Sequence, residues 1–195
     1  MTLETPRLLL RPIIREDLGH LVALDNDPEV MRHINGGLPV TREVFEAELL
    51  PTFLEIDARS PALGFHAVCD RSSEDFLGWV SLRFTGDDHR EAELGYRFRR
   101  EAWGHGYATE AGRALIDLAF AEPSIHRIIA TTYEHNAASR RVMDKLGLTF
   151  RRSFRPTLEE IAAVGTSLQG SLEVWAGDDV EYALVRADWQ RDRAT

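Results

Sequence analysis

Apolar positions along the chain follow two periods that alternate in blocks. Thr5 to Ile13 is an extended run, with Leu8, Leu9 and Leu10 too continuous for a half-exposed strand. Helical spacing follows. Asp17 opens a segment burying Leu18, Leu21, Val22 and Leu24. Asp27 before Pro28 is an N-cap with proline at the first helical position, and the helix it starts runs to Arg32 before Gly36 and Gly37. Thr41 caps a longer pattern through Val44, Phe45 and Leu49, which Pro51 should end or kink. The period then drops to two: Phe65, Ala67 and Cys69 alternate, then Leu77, Trp79 and Ser81, then Ala92, Leu94, Tyr96 and Phe98, with polar turns between. Three such strands make an antiparallel meander.

After the meander the helical period returns. Tyr107 to about Ala121 buries Ala108, Ala111, Leu115, Leu118 and Ala119, and turns Glu110, Arg113 and Asp117 outward at salt-bridge spacing. A strand at Ile128 to Tyr133 follows a helix of crossover length, so it should run parallel to the last meander strand. Asn136 caps a further helix with Ala138, Val142 and Leu146 on its apolar face, ended by Gly147. The last strands are Leu148 to Phe154 and Val180 to Arg186. With 195 residues and no repeat or linker, one domain over 1–195 is expected.

Composition narrows the partners. A net charge of −9 disfavours nucleic acid, which needs a basic surface, and suits an amine-bearing substrate. No apolar run reaches a membrane span, so a cytoplasmic protein is expected. The single cysteine, Cys69, forms no metal knuckle and sits among strand positions, as a buried inert thiol rather than a nucleophile; no metal is expected.

Trp103-Gly104-His105-Gly106-Tyr107-Ala108-Thr109-Glu110, between the last meander strand and its helix, reads as an anion cradle. Its glycines permit positive φ and close approach, and the helix behind adds unpaired N–H groups and the positive end of its dipole. A dinucleotide fold is disfavoured, because the third glycine is replaced by Thr109 and the preceding strands are antiparallel. A phosphate loop of the Gly-Lys-Ser/Thr type is absent.

This loop, with Glu4-Thr5-Pro6-Arg7-Leu8-Leu9-Leu10-Arg11-Pro12, Gly95-Tyr96, Asn136-Ala137-Ala138-Ser139, Lys145-Leu146-Gly147, Tyr182-Ala183-Leu184 and Trp189, resembles the GNAT superfamily of N-acetyltransferases. Within it the chain is similar to the ribosomal-protein-alanine branch (RimJ/RimL-type). The resemblance implies an α+β fold: a mostly antiparallel sheet of six or seven strands, a parallel pair at the CoA site, and helices on both faces. It implies acetyl-CoA as cosubstrate, with its pyrophosphate on the amides of Gly104, His105, Gly106, Tyr107, Ala108 and Thr109. The pantetheine arm would pair with backbone groups of Tyr96, Arg97 and Phe98, where Gly95 marks a bulge or makes room for a neighbour. Asn136 is an N-cap with or without a pantetheine contact. Arg140, Arg141 and Lys145 either reach the CoA phosphates or form a solvated face.

Other branches carry a glutamate five residues before the asparagine and a tyrosine seven after it as base and acid. Here those positions are Thr131 and Met143, which can serve as neither. Ser139 resembles the serine this branch places near the thioester sulfur, where a hydroxyl protonates or hydrogen-bonds the leaving thiolate; otherwise it faces solvent. Glu93 is the candidate base, acting through water, or else a surface glutamate paired with an arginine; His33, His66 and Asp70 are weaker candidates. The acceptor pocket is expected between the His33 to Gly37 loop and the Arg155 to Asp179 segment, with His33 and Trp175 toward the substrate. Two functions follow: direct acetyl transfer to a primary amine, on a protein N-terminus or a small molecule, or a catalytically silent CoA-binding or sensing domain. A homodimer is plausible by family analogy.

Overall fold

The computed structural model describes residues 2–55, 60, 62–85, 89–155 and 177–193. Eight strands form one sheet: β1 (Leu3–Glu4), β2 (Leu8–Pro12), β3 (Gly64–Asp70), β4 (Phe76–Phe84), β5 (Glu91–Phe98), β6 (Arg127–Tyr133), β7 (Thr149–Phe154) and β8 (Asp179–Val185). Their order is β1-β2-β3-β4-β5-β6-β8-β7, antiparallel except for the pair β5 and β6. The expected mixed fold is observed, one short strand larger than anticipated. β8 lies between β6 and β7 because its Val-Glu-Tyr-Ala-Leu stretch is buried, whereas β7 is an exposed edge carrying Arg151 and Arg152.

Helix α5 (Tyr107–Ala121) covers one face of the sheet with α6 (Ala137–Lys145) beside it. Ala111, Leu115, Ile116, Ala119 and Phe120 of α5 are buried there with Leu94, Val80 and Leu82 of the strands. Each large side chain among them contributes about 1.5–3 kcal/mol. Gly112 lets α6 approach, since a Cβ there would lie 3.0 Å from Leu146. The polar residues of α5 do not bridge to one another as their spacing suggested. Glu110 reaches back to Thr5 and Arg7, Arg113 donates to the carbonyl of Lys145, and Asp117 accepts from Trp189 and pairs with Arg193. The last two partners belong to α7 (Arg186–Arg193), a helix that sequence reasoning missed. At its start, the Arg186 guanidinium donates to the carbonyls of Phe120, Glu122 and Ile125 and so caps the end of α5.

The other face carries α1 (Leu18–Asp25), α2 (Pro28–Met31), α3 (Arg42–Val44) and α4 (Leu50–Leu54), packed over Phe65, Ala67, Phe76 and Trp79. Asp27 and Thr41 cap α2 and α3 as expected, accepting from Glu29 and Val44 amides. Asp17 instead serves a one-turn 3-10 segment before α1: its carboxylate accepts from the Ile14 amide and forms a two-pronged pair with Arg11. Nor does Pro51 end its helix. A π-turn at Phe45–Leu49 precedes it, the Leu50 amide bonding back to Phe45, and the wider turn lets the chain continue helically through Leu54.

One buried ion pair ties this helical layer to the sheet. Arg97 on β5 pairs with Asp25 at the end of α1, and the guanidinium lies 5.2 Å from the centre of the Trp79 ring. The Asp25 side chain is 2 % exposed. Asp25→Ala strands the arginine charge and should cost about 3–5 kcal/mol in urea denaturation, whereas an Asp25→Leu/Arg97→Met double substitution should recover much of that loss.

Candidate active site

The β5–β6 pairing lasts for only three positions: Glu91 with Arg127, Ala92 with Ile128, and Glu93 with Ile129. Beyond Glu93 the strands part. β5 stays in register with β4 to Phe98, and β6 with β8 to Tyr133. The ladder bonds of Glu91 and Arg99 to β4 fix the alternation, so odd-numbered residues of β5 bond β4 while Leu94, Tyr96 and Phe98 turn backbone groups into the gap. The Phe98 carbonyl is met by the Trp103 indole N–H at 2.8 Å.

Two sequence expectations change here. Arg97 was placed among the backbone partners of the gap, but its amide and carbonyl belong to the β4 ladder and its side chain to Asp25. Gly95 makes no bulge, since the β4–β5 register is continuous; a Cβ there would lie 2.8 Å from Ser81 Oγ and 3.4 Å from the Trp79 ring. Glycine at 95 makes room for those two side chains.

At the open end of the gap lies the glycine loop. Gly104 and Gly106 have φ of 78° and 81°, and Gly106 is the N-cap of α5 with no side chain capping the helix. The amides of the first turn therefore stay available to an anion, beside Tyr107, Ala108 and Thr109, which border the cleft. His105 does not border it. Its ring stacks on Tyr107 at 5.5 Å between centres, and its carbonyl accepts from Arg7. Arg7 was not picked out from the sequence, yet with Thr5 it clamps this loop: both bond Glu110, at 2.7 and 2.6 Å.

A cleft of about 1420 Å³ runs from this loop through the gap to the α1 side of the sheet. Ser139, in the first turn of α6, faces Tyr96 across it, with Oγ and the Tyr96 hydroxyl 2.8 Å apart. The same hydroxyl donates to the Ser139 carbonyl. Burial pushes the Tyr96 phenol far above its ordinary range, more than the bond to Ser139 lowers it, so it stays protonated. Its side chain was not foreseen as a site group; an alternating strand pattern assigned it to the core. Asn136 caps α6, accepting from the Ser139 amide and donating to Thr132, and borders the cleft.

On the α1 side, Glu93 accepts a 2.6 Å hydrogen bond from Thr131. Threonine thus holds, from β6, a carboxylate that β5 supplies. Asp179 of β8 borders the same space, and burial, then the charges of Glu93 and Asp178, raise its pKa. His33 also lines the cleft, its ring 5.8 Å from that of Tyr133. Burial, then Arg32 and His135, lower its pKa, which favours neutral imidazole. Arg141 and Lys145 border the cleft; Arg140 is turned to Tyr182 and the Glu134 carbonyl. His66 and Asp70 are not cleft residues: His66 is buried, and Asp70 organises a turn with Ser72 and Ser73. Cys69 is buried, and burial pushes its thiol up, as an inert group requires. Trp175 lies outside the described residues. Among the described residues no cluster of potential metal ligands occurs, and no helix is long and apolar enough to cross a membrane.

A sheet split at a parallel pair, with an anion-binding helix start at the mouth of the split, defines an acyl-CoA-dependent transferase fold. The acetyltransferase (GNAT) domain model matches residues 7–149, and the chain belongs to that family. It is an N-acetyltransferase by class. It is 32 % identical over 200 residues to an FsC-acetyl coenzyme A-N(2)-transacetylase of Aspergillus fumigatus, covering 97 % of this chain and 78 % of that one. A GNAT-family acetyltransferase from Bacillus anthracis shares the fold, with a TM-score of 0.74 at 24 % identity, over 96 % of this chain and 99 % of the other. So does a Vibrio cholerae spermidine N-acetyltransferase solved with CoA and spermine, with a TM-score of 0.72 at 18 % identity, over 95 % and 97 % of the two chains.

The clamp on the glycine loop titrates. Burial alone would raise the Glu110 pKa, but bonds from Thr5 and Arg7 outweigh it and hold the carboxyl below its usual range. A depressed folded pKa gives stability that is complete above the unfolded value, about 4.3, and is lost as pH falls through the folded one. Glu110→Gln should therefore lower stability by about 1 kcal/mol at neutral pH, and thermal melts should show this difference shrinking toward pH 3.

Proposed function

We propose that the protein transfers the acetyl group of acetyl-CoA directly to a primary amine, on a protein N-terminus or a small molecule, with both substrates bound together. The observation that carries this reading is the position of Glu93: it is the last β5 residue paired with β6, so its carboxylate stands where the strands part, on the side opposite α5. The gap beyond it offers the backbone groups of Leu94 and Tyr96 to the pantetheine arm, and the amides at the start of α5 donate to the pyrophosphate oxygens. We also assign the chain to the RimJ/RimL-type branch, on the motifs from Glu4 to Trp189 quoted above, and to the cytoplasm.

Acetyl-CoA supplies an activated carbonyl and a thiolate leaving group. Glu93 takes a proton from the acceptor ammonium, directly or through water, freeing the nitrogen lone pair. A C–N bond forms as the C–S bond breaks. As charge develops on the sulfur, one hydroxyl of the Tyr96–Ser139 pair donates to it while the other donates to its partner, and the second proton that the nitrogen sheds on becoming an amide passes to the departing thiolate through this pair. Thr131 holds the base in place.

A catalytically silent CoA-binding domain was the competing reading, because Thr131 and Met143 replace the acid/base pair of other branches. Glu93 bonded to Thr131, and Tyr96 bonded to Ser139, are substitutes for that pair from neighbouring elements and favour an enzyme. Thiol release from acetyl-CoA over a panel of amines and N-terminal peptides tests the choice; no release with any of them would leave the silent domain. Glu93→Gln should lower kcat about 100-fold while calorimetry shows CoA affinity retained. Gly106→Glu should abolish CoA binding, because it puts a side chain and a negative charge in the phosphate cradle and strains a residue with φ of 81°.

A further inference from the structure

We infer that Arg83 is the specificity residue of the acceptor site, and that the acceptor carries a carboxylate or carbonyl oxygen on the carbon next to its amine, as in an α-amino acid or a peptide N-terminus. The inference rests on the acetyltransferase reading and adds the acceptor's second functional group.

Arg83 and Glu93 are direct cross-strand partners on β4 and β5, on the face opposite α5. Side chains so placed have Cβ atoms about 4.5–5.5 Å apart, and an arginine and a glutamate there ordinarily pair. These two do not. Glu93 turns toward β6 and bonds Thr131, while Arg83 turns the other way, over the Phe65 ring of β3 at 5.4 Å. The opposite charges therefore flank a space rather than close it, and both line the cleft.

Arg83 is half-buried, its Nε is buried without an acceptor, and among the described residues no carboxylate forms an ion pair with it. A buried Nε–H without an acceptor is costly unless a ligand completes it. The planar fork matches a carboxylate or carbonyl oxygen. With the amine at Glu93 and the anion at Arg83, a short zwitterion spans the space. A polyamine would set a cation against Arg83.

The test uses thiol release from acetyl-CoA with four acceptors: leucine, leucinamide, 3-methylbutylamine and putrescine. The wild type should favour leucine or leucinamide over 3-methylbutylamine in kcat/KM by about tenfold to a hundredfold, the discrimination a hydrogen bond to a charged group provides. Arg83→Met, which still covers Phe65, should erase that ratio, chiefly through KM, and Arg83→Lys should restore part of it. A wild type that turns over 3-methylbutylamine or putrescine as well as leucinamide overturns the inference and leaves the acetyltransferase reading standing, and this comparison needs no variant. An Arg83→Met protein that keeps the wild-type ratio overturns it equally. A wild type that binds CoA but acetylates none of the four, no N-terminal peptide and no other amine of the panel overturns both.

Discussion

The parting of β5 from β6 is the constraint on which the molecule depends. Three residue pairs join these strands, against seven on the outer side of each, with β4 and with β8. Those outer ladders keep the sheet whole while its centre stands open. Backbone groups facing the gap cannot remain unpaired in a buried place. The Trp103 indole answers one of them, the Phe98 carbonyl, and an extended ligand arm is the natural answer to the rest. The site is therefore a missing piece of secondary structure as much as a pocket.

The two faces beside the gap are built on different principles. Toward α5 and α6 the strands present Leu94, Ile128, Ala130 and Val180, a dry core that fixes the angle of the split. On the opposite face the same strands carry Glu91, Glu93, Arg127 and Glu181, and β7 adds Arg152 beside Glu181. Arg127 joins Glu91 to Glu181, and Glu181, itself nearly buried, also holds Arg152. This network satisfies its charges internally, so it reads as scaffolding. Glu93 and Arg83 stand apart from it, each held by a neutral neighbour, which sets these two charges off from the paired ones on the same sheet face.

Much of this was legible in the sequence where local physics decides. The meander, α5 at its observed bounds, the caps at Asp27, Thr41 and Asn136, and the glycine loop all follow from periodicity, turn residues and N-terminal capping. What failed to show depends on contacts between distant segments. The Tyr96–Ser139 bond joins residues 43 apart, and the Arg7–Glu110 clamp joins residues 103 apart. Nothing in a strand period distinguishes a core tyrosine from one whose hydroxyl crosses a cleft. Gly95 left two readings open, a bulge or room for a neighbour, and only the contacts of Ser81 and Trp79 on the next strand decide for the second. Pro51 distorts its helix without ending it, through a π-turn, a backbone adjustment that residue preferences do not announce.

The two halves of the cleft are held by separate devices. Thr5 and Arg7, from the segment between β1 and β2, hold the glycine loop through Glu110, with no contact to α1 or α2 in that set of bonds. The α1–α2 layer is tied to β5 by Arg97 reaching Asp25 in α1, and to the turn between β5 and the glycine loop by Arg100 reaching Asp27 before α2. A substitution in the α1–α2 layer that spares Asp27 therefore acts on the cleft wall formed by that layer and leaves the Glu110 clamp in place. Function resides in sites carried on a shared fold, and this division gives that statement a mechanical basis: the glycine-loop end of the cleft follows from backbone geometry, while the α1–α2 end is written in a few side chains.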